Sequence, residues 1–374
     1  MEFGAFDPVR AARYNTGATP LEYTMRATSA VLLPLMIWTT GTTHAQGRAA
    51  FTAGEVTAAP GTKASGYIAV PAAGADTGTR IPITIVHGTR AGPVLALIAG
   101  THGSEVAPII GHLRLAAQLD PAAVAGTVIL VHIANPPSFY GRTIYYSPVD
   151  GHNLNRVYPG RAAGTLSERM AHAITREVIE RADYLVDMHG GDGNESLRPY
   201  AYWMPLGLDA RVDSVSREMA MAFGHEIVVV DTTRTRDPAA SAYTSNTAMT
   251  RGKPAMTTEN GWLGEPNEDM IRRNVTGALR LMRYLRMLPG RVELSRPTWL
   301  TRTEVLRSPI SGIWQAAVTR GQSVARGAPL GCVSDPFGGN RTCIAAPFAG
   351  VVLYIVATPA MSRGEPLGMI GAPR

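Results

Sequence analysis

His102, Glu105 and His189 are the residues whose types and placement point most directly to chemistry. His102 and Glu105 sit in Gly100-Thr-His-Gly-Ser-Glu105, straight after the apolar run Val94–Ala99. His189 follows Tyr184-Leu-Val-Asp-Met188 and precedes two glycines that leave room around the ring. Both runs read as strands buried on two faces. Ligands of open α/β sheets bind just beyond the carboxyl ends of the strands, so all three side chains can meet at one sheet edge. Two histidines and a glutamate form a three-ligand catalytic zinc set that leaves a fourth position for water, so one Zn2+ per chain is expected. Each residue alone also has a plain structural explanation. A turn histidine, a glutamate that favours a helix dipole and a histidine capping a strand need no metal.

The elements around these residues alternate. Strand patterns at Ile81–Val86, Val94–Ala99, Thr127–Ile133, Asp183–Met188, Pro199–Met204, Glu226–Asp231 and Pro254–Glu259 are interleaved with helix patterns. The helices are expected from Val106 to about Leu119, at Leu166–Arg181, Ala210–Phe223 and Glu268–Met287, the last stopped by Leu288-Pro-Gly290. Alternation of this kind predicts an α/β fold with a mixed open sheet flanked by helices. Residues 135–160 have no clean period, and long irregular connections in compact domains are usually functional. Beyond Gly290 the pattern becomes short, closely spaced strands punctuated by Gly and Pro, which predicts a smaller C-terminal all-β module. Cys332 and Cys343 lie across a hairpin of that module and can pair as one disulfide.

Composition limits the function classes. Hydrophobic residues make up 45% and charged residues 17%, enough for a sizeable core. The net charge of +6 comes almost entirely from dispersed arginines, with Lys63 and Lys253 the only lysines. No basic run exists to track a phosphate backbone, so nucleic acid is not expected as a partner. Met25-Arg26, the apolar stretch Ala30–Trp38 and Thr43-His-Ala45 form a secretory signal with cleavage near Ala45. Its apolar core is too short to span a bilayer, so no stable membrane anchor is expected. Met25 is an alternative start. The expected product is periplasmic or secreted, where a disulfide is permitted. The expected divisions are a leader over 1–45, an N-terminal arm over 46–80, a catalytic domain over 81–290 and the β-module over 291–374.

Further pieces surround the metal set: Asn135-Pro, Asp150-Gly-His-Asn-Leu-Asn-Arg156, Asp187-Met-His189-Gly and Glu259. In this order, and with Gly100–Glu105, they resemble the succinylglutamate desuccinylase/aspartoacylase family of the zinc carboxypeptidase-like fold. The resemblance covers roughly residues 80–290, and the last strands also resemble the family's C-terminal β-module. It implies that His102, Glu105 and His189 bind zinc and that Asn155 and Arg156 hold a substrate carboxylate. A guanidinium suits that task because it grips a carboxylate as a bidentate fork. It further implies that Glu259, at the end of a strand, takes a proton from metal-activated water and passes it to the leaving nitrogen. The family carries an oxyanion-stabilising arginine a few residues before the Asn-Arg pair, where this chain has Ser147-Pro-Val-Asp150. Arg142 is the nearest replacement. Asp187 is placed either to orient a neighbour or as a structural aspartate, and Asn153 to shape its loop. His152 lies in the same loop; His87, His112, His132, His172 and His225 have no partner at ligand spacing.

The function implied is hydrolysis of the linear amide of an N-acyl amino acid, a small molecule with a carboxylate. A zinc carboxypeptidase acting on a short or cell-wall peptide would use much the same ligands. An exported ligand-binding protein is the non-enzyme alternative, and a homo-oligomer is left open. A lipoyl- or biotinyl-type carrier is excluded because residues 291–374 contain no lysine.

Overall fold

The computed structural model describes residues 48–373. The expected leader and its cleavage site lie outside the described residues. Among the described residues no helix is long and apolar enough to cross a membrane.

Nine strands form one mixed sheet. In spatial order they are Thr298–Leu300, Ile227–Val230, Tyr200–Trp203, Ala255–Glu259, Tyr184–His189, Arg90–Ala99, Ala125–Val131, Thr79–His87 and Thr62–Val70. The four strands from Ala255–Glu259 to Ala125–Val131 run parallel. Antiparallel neighbours at Tyr200–Trp203 and Thr79–His87 make the sheet mixed. The expected mixed α/β sheet flanked by helices, with a smaller C-terminal β-module, is therefore the fold.

Burial on both faces explains why the central strands are mostly apolar. Leu95, Leu97 and Ala99 pack on one face with Leu115, Met219 and Leu281 from three helices. Ala96 and Ile98 face the other side, against Met170 and Ile174 of the Leu166–Ile174 helix. Each face buries its own hydrophobic cluster, and Thr127, Asp187, Thr257 and Thr258 are the buried polar exceptions within these strands. At the strand ends the donors appear.

Several elements differ from the pattern reading. The helix expected over Leu166–Arg181 is α-helical only to Ile174 and continues as a π turn over Thr175–Ile179. Its N-terminus is closed by a capping box between Thr165 and Glu168. The irregular stretch 135–160 contains the short helix Pro136–Gly141 and a 3-10 turn at Leu154–Arg156. Thr62–Val70, expected in an arm, pairs along its length with Thr79–His87. Thr298–Leu300, expected in the β-module, instead pairs with Ile227–Val230 at the other edge. Edge pairing satisfies backbone groups that composition alone does not reveal.

The β-module consists of two small sheets around Trp314, Leu330, Val333, Val352, Leu367 and Ile370. Cys332 and Cys343 face each other in register across two of its strands and are bonded. One strand of this layer comes from the catalytic part of the chain. Glu195–Leu197 pairs with Gly350–Val356, placing Glu195 opposite Val356.

Candidate metal centre and active-site cavity

Both donor loops start at strand ends, and both need close backbone approach. Gly100 adopts a left-handed conformation with φ 70°, turning the chain sharply out of the sheet. At Gly103 a Cβ would lie 2.3 Å from the Phe139 backbone nitrogen. The partner segment is fixed by Asn135, whose side chain accepts from the Ser138 backbone N–H and whose own N–H donates to Gly100 O. Ser138 Oγ in turn accepts from the Gly103 N–H at 3.2 Å. Asn135-Pro thus braces the His102–Glu105 loop. Gly103→Ala is expected to cost ~1–3 kcal/mol of stability through overpacking against backbone. Chemical denaturation read by circular dichroism checks this.

His102, Glu105 and His189 are buried, and one donor atom from each lies within 4.8 Å of the others. His102 Nδ1 is 2.7 Å from Glu105 Oε1, and His189 Nδ1 is 2.8 Å from Glu105 Oε2. The outer nitrogens point away from this centre. His102 Nε2 lies 3.2 Å from Asn153 Oδ1, an oxygen that also accepts the Asn155 N–H. His102 Nε2 is therefore the donor there, which leaves Nδ1 facing a carboxylate oxygen. Two acceptors at that separation need a proton or a cation between them.

His189 Nε2 has two neighbours. The Asn155 side-chain amide is 3.2 Å away, and Asp187 Oδ2 is 3.1 Å away but off the hydrogen-bonding direction. Both Asp187 oxygens are buried without a hydrogen-bond partner. Asp187 thus lies behind the His189 ring as a buried carboxylate without a hydrogen bond of its own. Burial, which disfavours charge, is outweighed at all three groups. His189 and His102 hold Glu105 down at about 2. Glu105 and Asp192 raise His102, while Asp187 and Glu105 raise His189. The centre is a carboxylate held by positive charge, and its donor set fits a divalent cation with nitrogen and oxygen ligands.

The centre opens into a cavity of about 420 Å3. Glu259 lines it, placed opposite His189 on one neighbouring strand and Tyr200 on the other. Burial pushes Glu259 well above the ordinary carboxylate range; Glu105, Glu195 and Asp187 add to the rise and His189 opposes it. Arg156 lines the same cavity. Its Nη1 donates to Asn155 O at 2.7 Å and its guanidinium stacks on Tyr243 at 4.6 Å, while Arg234 covers the same ring at 3.5 Å. A stacked guanidinium keeps its outer edge free for an anion.

Two sequence expectations change. Asn155 is buried and does not line the cavity: its side-chain oxygen accepts from the Thr244 N–H and its amide faces His189. Of the pair, Arg156 lines the cavity, and the Asn155 amide instead faces His189. Arg142, expected as the oxyanion arginine, closes the Pro136–Gly141 helix with φ 54°. It is exposed and lines a separate depression with Phe139, Tyr140 and Gly264. The left-handed turn ends the helix short of the cavity, which the chain reaches only at Tyr145.

Other cavity residues have no sequence signal. Tyr145 and Tyr146 come from a loop, Glu195 from a short strand and Tyr200 and Tyr202 from an inner strand of the large sheet, while Val305, Arg307, Tyr354, Pro366 and Met369 come from the β-module. Only the long irregular connection hinted at the first two.

Comparison with known proteins follows the same outline. Residues 91–285 match the model of the succinylglutamate desuccinylase/aspartoacylase catalytic domain. The chain is 27% identical over 261 residues to the N-alpha-acetyl-L-2,4-diaminobutyric acid deacetylase of Halomonas elongata, covering 68% of this chain and 74% of that protein. The fold is similar to the crystal structure of a succinylglutamate desuccinylase/aspartoacylase from Rhodobacter sphaeroides, with TM-score 0.74, 24% identity and coverage of 83% and 95% of the two chains. It is equally similar to product-bound EutE (DoeB), an ectoine utilization protein of Ruegeria pomeroyi, with TM-score 0.74, 25% identity and coverage of 83% and 95%. With the domain match covering the central strands and both donor loops, over half of the chain, the chain belongs to the succinylglutamate desuccinylase/aspartoacylase family.

Proposed function

We propose that this protein is a zinc-dependent deacylase that hydrolyses the amide of an N-acyl amino acid. The observation that carries the reading is one cavity holding the His102–Glu105–His189 centre, Glu259 and Arg156 together. When bound, the metal supplies a Lewis acid that polarises the acyl carbonyl and makes water acidic near neutral pH. Arg156 takes the substrate carboxylate and sets the amide against the centre. Glu259 removes a proton from the attacking water as oxygen bonds to the acyl carbon. It then returns that proton to the nitrogen as the C–N bond breaks, leaving a carboxylate and a free amine. The tyrosine hydroxyls are the donors this wall offers the developing oxyanion.

The β-module residues close one side of the cavity, which favours a small acyl amino acid over a polypeptide. The Cys332–Cys343 bond suits an oxidising compartment, in keeping with export of the chain. Incubating the zinc-loaded protein with N-acyl amino acids and short peptides, and following amine release, tests the activity. Cleavage of peptides alone would overturn the deacylase reading. For the carboxylate grip, Arg156→Ala is expected to raise KM ~10-fold or more, as a charge-assisted pair is lost. Steady-state kinetics read this directly, and an unchanged KM would move the grip elsewhere.

A further inference from the structure

Arg156 is an exposed side chain, and long exposed side chains are free to move. Its placement rests on the Nη1 donation to Asn155 O at 2.7 Å and on the Tyr243 ring, 4.6 Å from its guanidinium carbon. Outside the metal centre, the cavity wall also carries Glu195, Glu259 and Arg307. That mixture of signs gives no general pull on an anion. Capture of a carboxylate then depends on how firmly Arg156 is aimed, because rotamer freedom removed beforehand is not lost on binding.

The aim traces back to the large sheet through a second arginine. Asp231 follows the strand Ile227–Val230, and its N–H donates to Trp203 O at 2.9 Å. Its carboxylate accepts from Arg234 Nε at 2.6 Å and from the Thr233 N–H and hydroxyl at 2.9 and 2.6 Å. Although burial raises it, Arg234 and the Thr233 donors hold Asp231 below the ordinary carboxylate range. The Arg234 and Asp231 side chains are only 13% and 14% exposed, so this is not a surface pair loosened by solvent. From that anchor the Arg234 guanidinium covers the Tyr243 ring at 3.5 Å. Among the described residues the Tyr243 hydroxyl has no hydrogen bond, so the ring is held by packing. Aromatic faces attract guanidinium groups, and here one ring carries two of them. Arg234 Nη1 is buried without a hydrogen-bond partner. An unmet buried donor costs stability, and such groups in native proteins tend to have a role outside it.

We propose that Arg234 is a positioning residue for substrate binding: fixed by Asp231, it clamps the Tyr243 ring on which Arg156 lies, and so sets how tightly a substrate carboxylate is held. This rests on the deacylase reading above and adds what aims Arg156. Arg234 does not line the cavity and touches no reacting atom. Its effect belongs in KM, and only for substrates that carry the carboxylate.

The test compares the N-acetyl amino acid that the zinc-loaded protein turns over best with its primary carboxamide, which lacks the charge. Arg234→Met is expected to raise KM for the carboxylate ~3–10-fold, less than Arg156→Ala, with kcat, zinc content and KM for the carboxamide little changed. Arg234→Lys keeps a cation for the ring and for Asp231 and should restore most of the loss. Tyr243→Leu should reproduce it, and Arg234→Met combined with Tyr243→Leu should be no worse than Tyr243→Leu alone, because both act through one ring. If Arg234→Met does not fold with Asp231 left unpaired, Asp231→Asn together with Arg234→Met removes both buried charges and is measured in its place. An unchanged KM, a loss shared equally by the carboxamide, or losses that multiply in the combined variant would overturn the clamp and leave the deacylase reading intact. No turnover of any N-acyl amino acid overturns both.

Discussion

Glu259→Gln is expected to keep the fold and the bound zinc while losing turnover by ~10²–10⁴-fold, the range for removing a positioned general base. The amide has the size of the carboxylate and keeps Glu259's place between His189 and Tyr200 in the sheet. It cannot accept and return a proton. Binding should survive, because Arg156 is untouched and Glu259 is not among the metal donors. The effect therefore belongs in kcat, with KM little changed. Metal analysis of the purified variant alongside its kinetics checks both halves. Full turnover with zinc in place would assign the base to another group, Glu195 first, since it lines the same cavity.

Removing the metal should have an effect at least as large. Chelation is expected to abolish turnover and zinc to restore it, while His189→Ala should neither hold zinc nor be rescued by it. The basis is the paired approach of two imidazole Nδ1 atoms to one carboxylate. With one histidine gone, Glu105 keeps a single partner in a buried site, and a three-ligand centre becomes a two-ligand one. The variant also loses the ring beside Asp187, whose oxygens already lack hydrogen bonds, so some loss of stability is expected. Metal content by mass spectrometry and activity after zinc addition separate the two effects. Undiminished activity in metal-free protein would sink the metal-dependent reading. The second layer should act more mildly: Asn155 and Asp187 touch His189 and not the cavity, so their loss should weaken metal affinity ~10–100-fold.

Much of the centre was legible from the chain because its placement is local. A strand buried on both faces is mostly apolar, and the residues that follow it fall at the sheet edge. Val94–Ala99 with His102 and Glu105, and Tyr184–Met188 with His189, follow that rule, and the structure brings the three together. Glu259 follows it as well, on the strand paired beside His189. Asn153 and Asn155 were harder, since an amide can hold a loop, a ligand or a substrate. Only coordinates show that Asn153 reaches His102 and Asn155 reaches His189.

The sequence by itself determined the α/β class, the His102–Glu105–His189 set that could hold a metal, the position of Glu259 and the separate character of the C-terminal strands. The periods of strand and helix, and the glycines that break them, act over a few residues and need no distant partner. The cavity wall was decided only by tertiary structure. Arg142 stands three residues before Tyr145 yet falls outside the cavity, because a left-handed residue ends its helix. Glu195 enters the wall because its strand pairs with Val356, and Arg307 and Tyr354 arrive with the same module. Pairings across more than a hundred residues depend on which edges remain free once the sheet has formed. No local pattern encodes that choice, and for this protein it sets the shape and charge that a substrate meets.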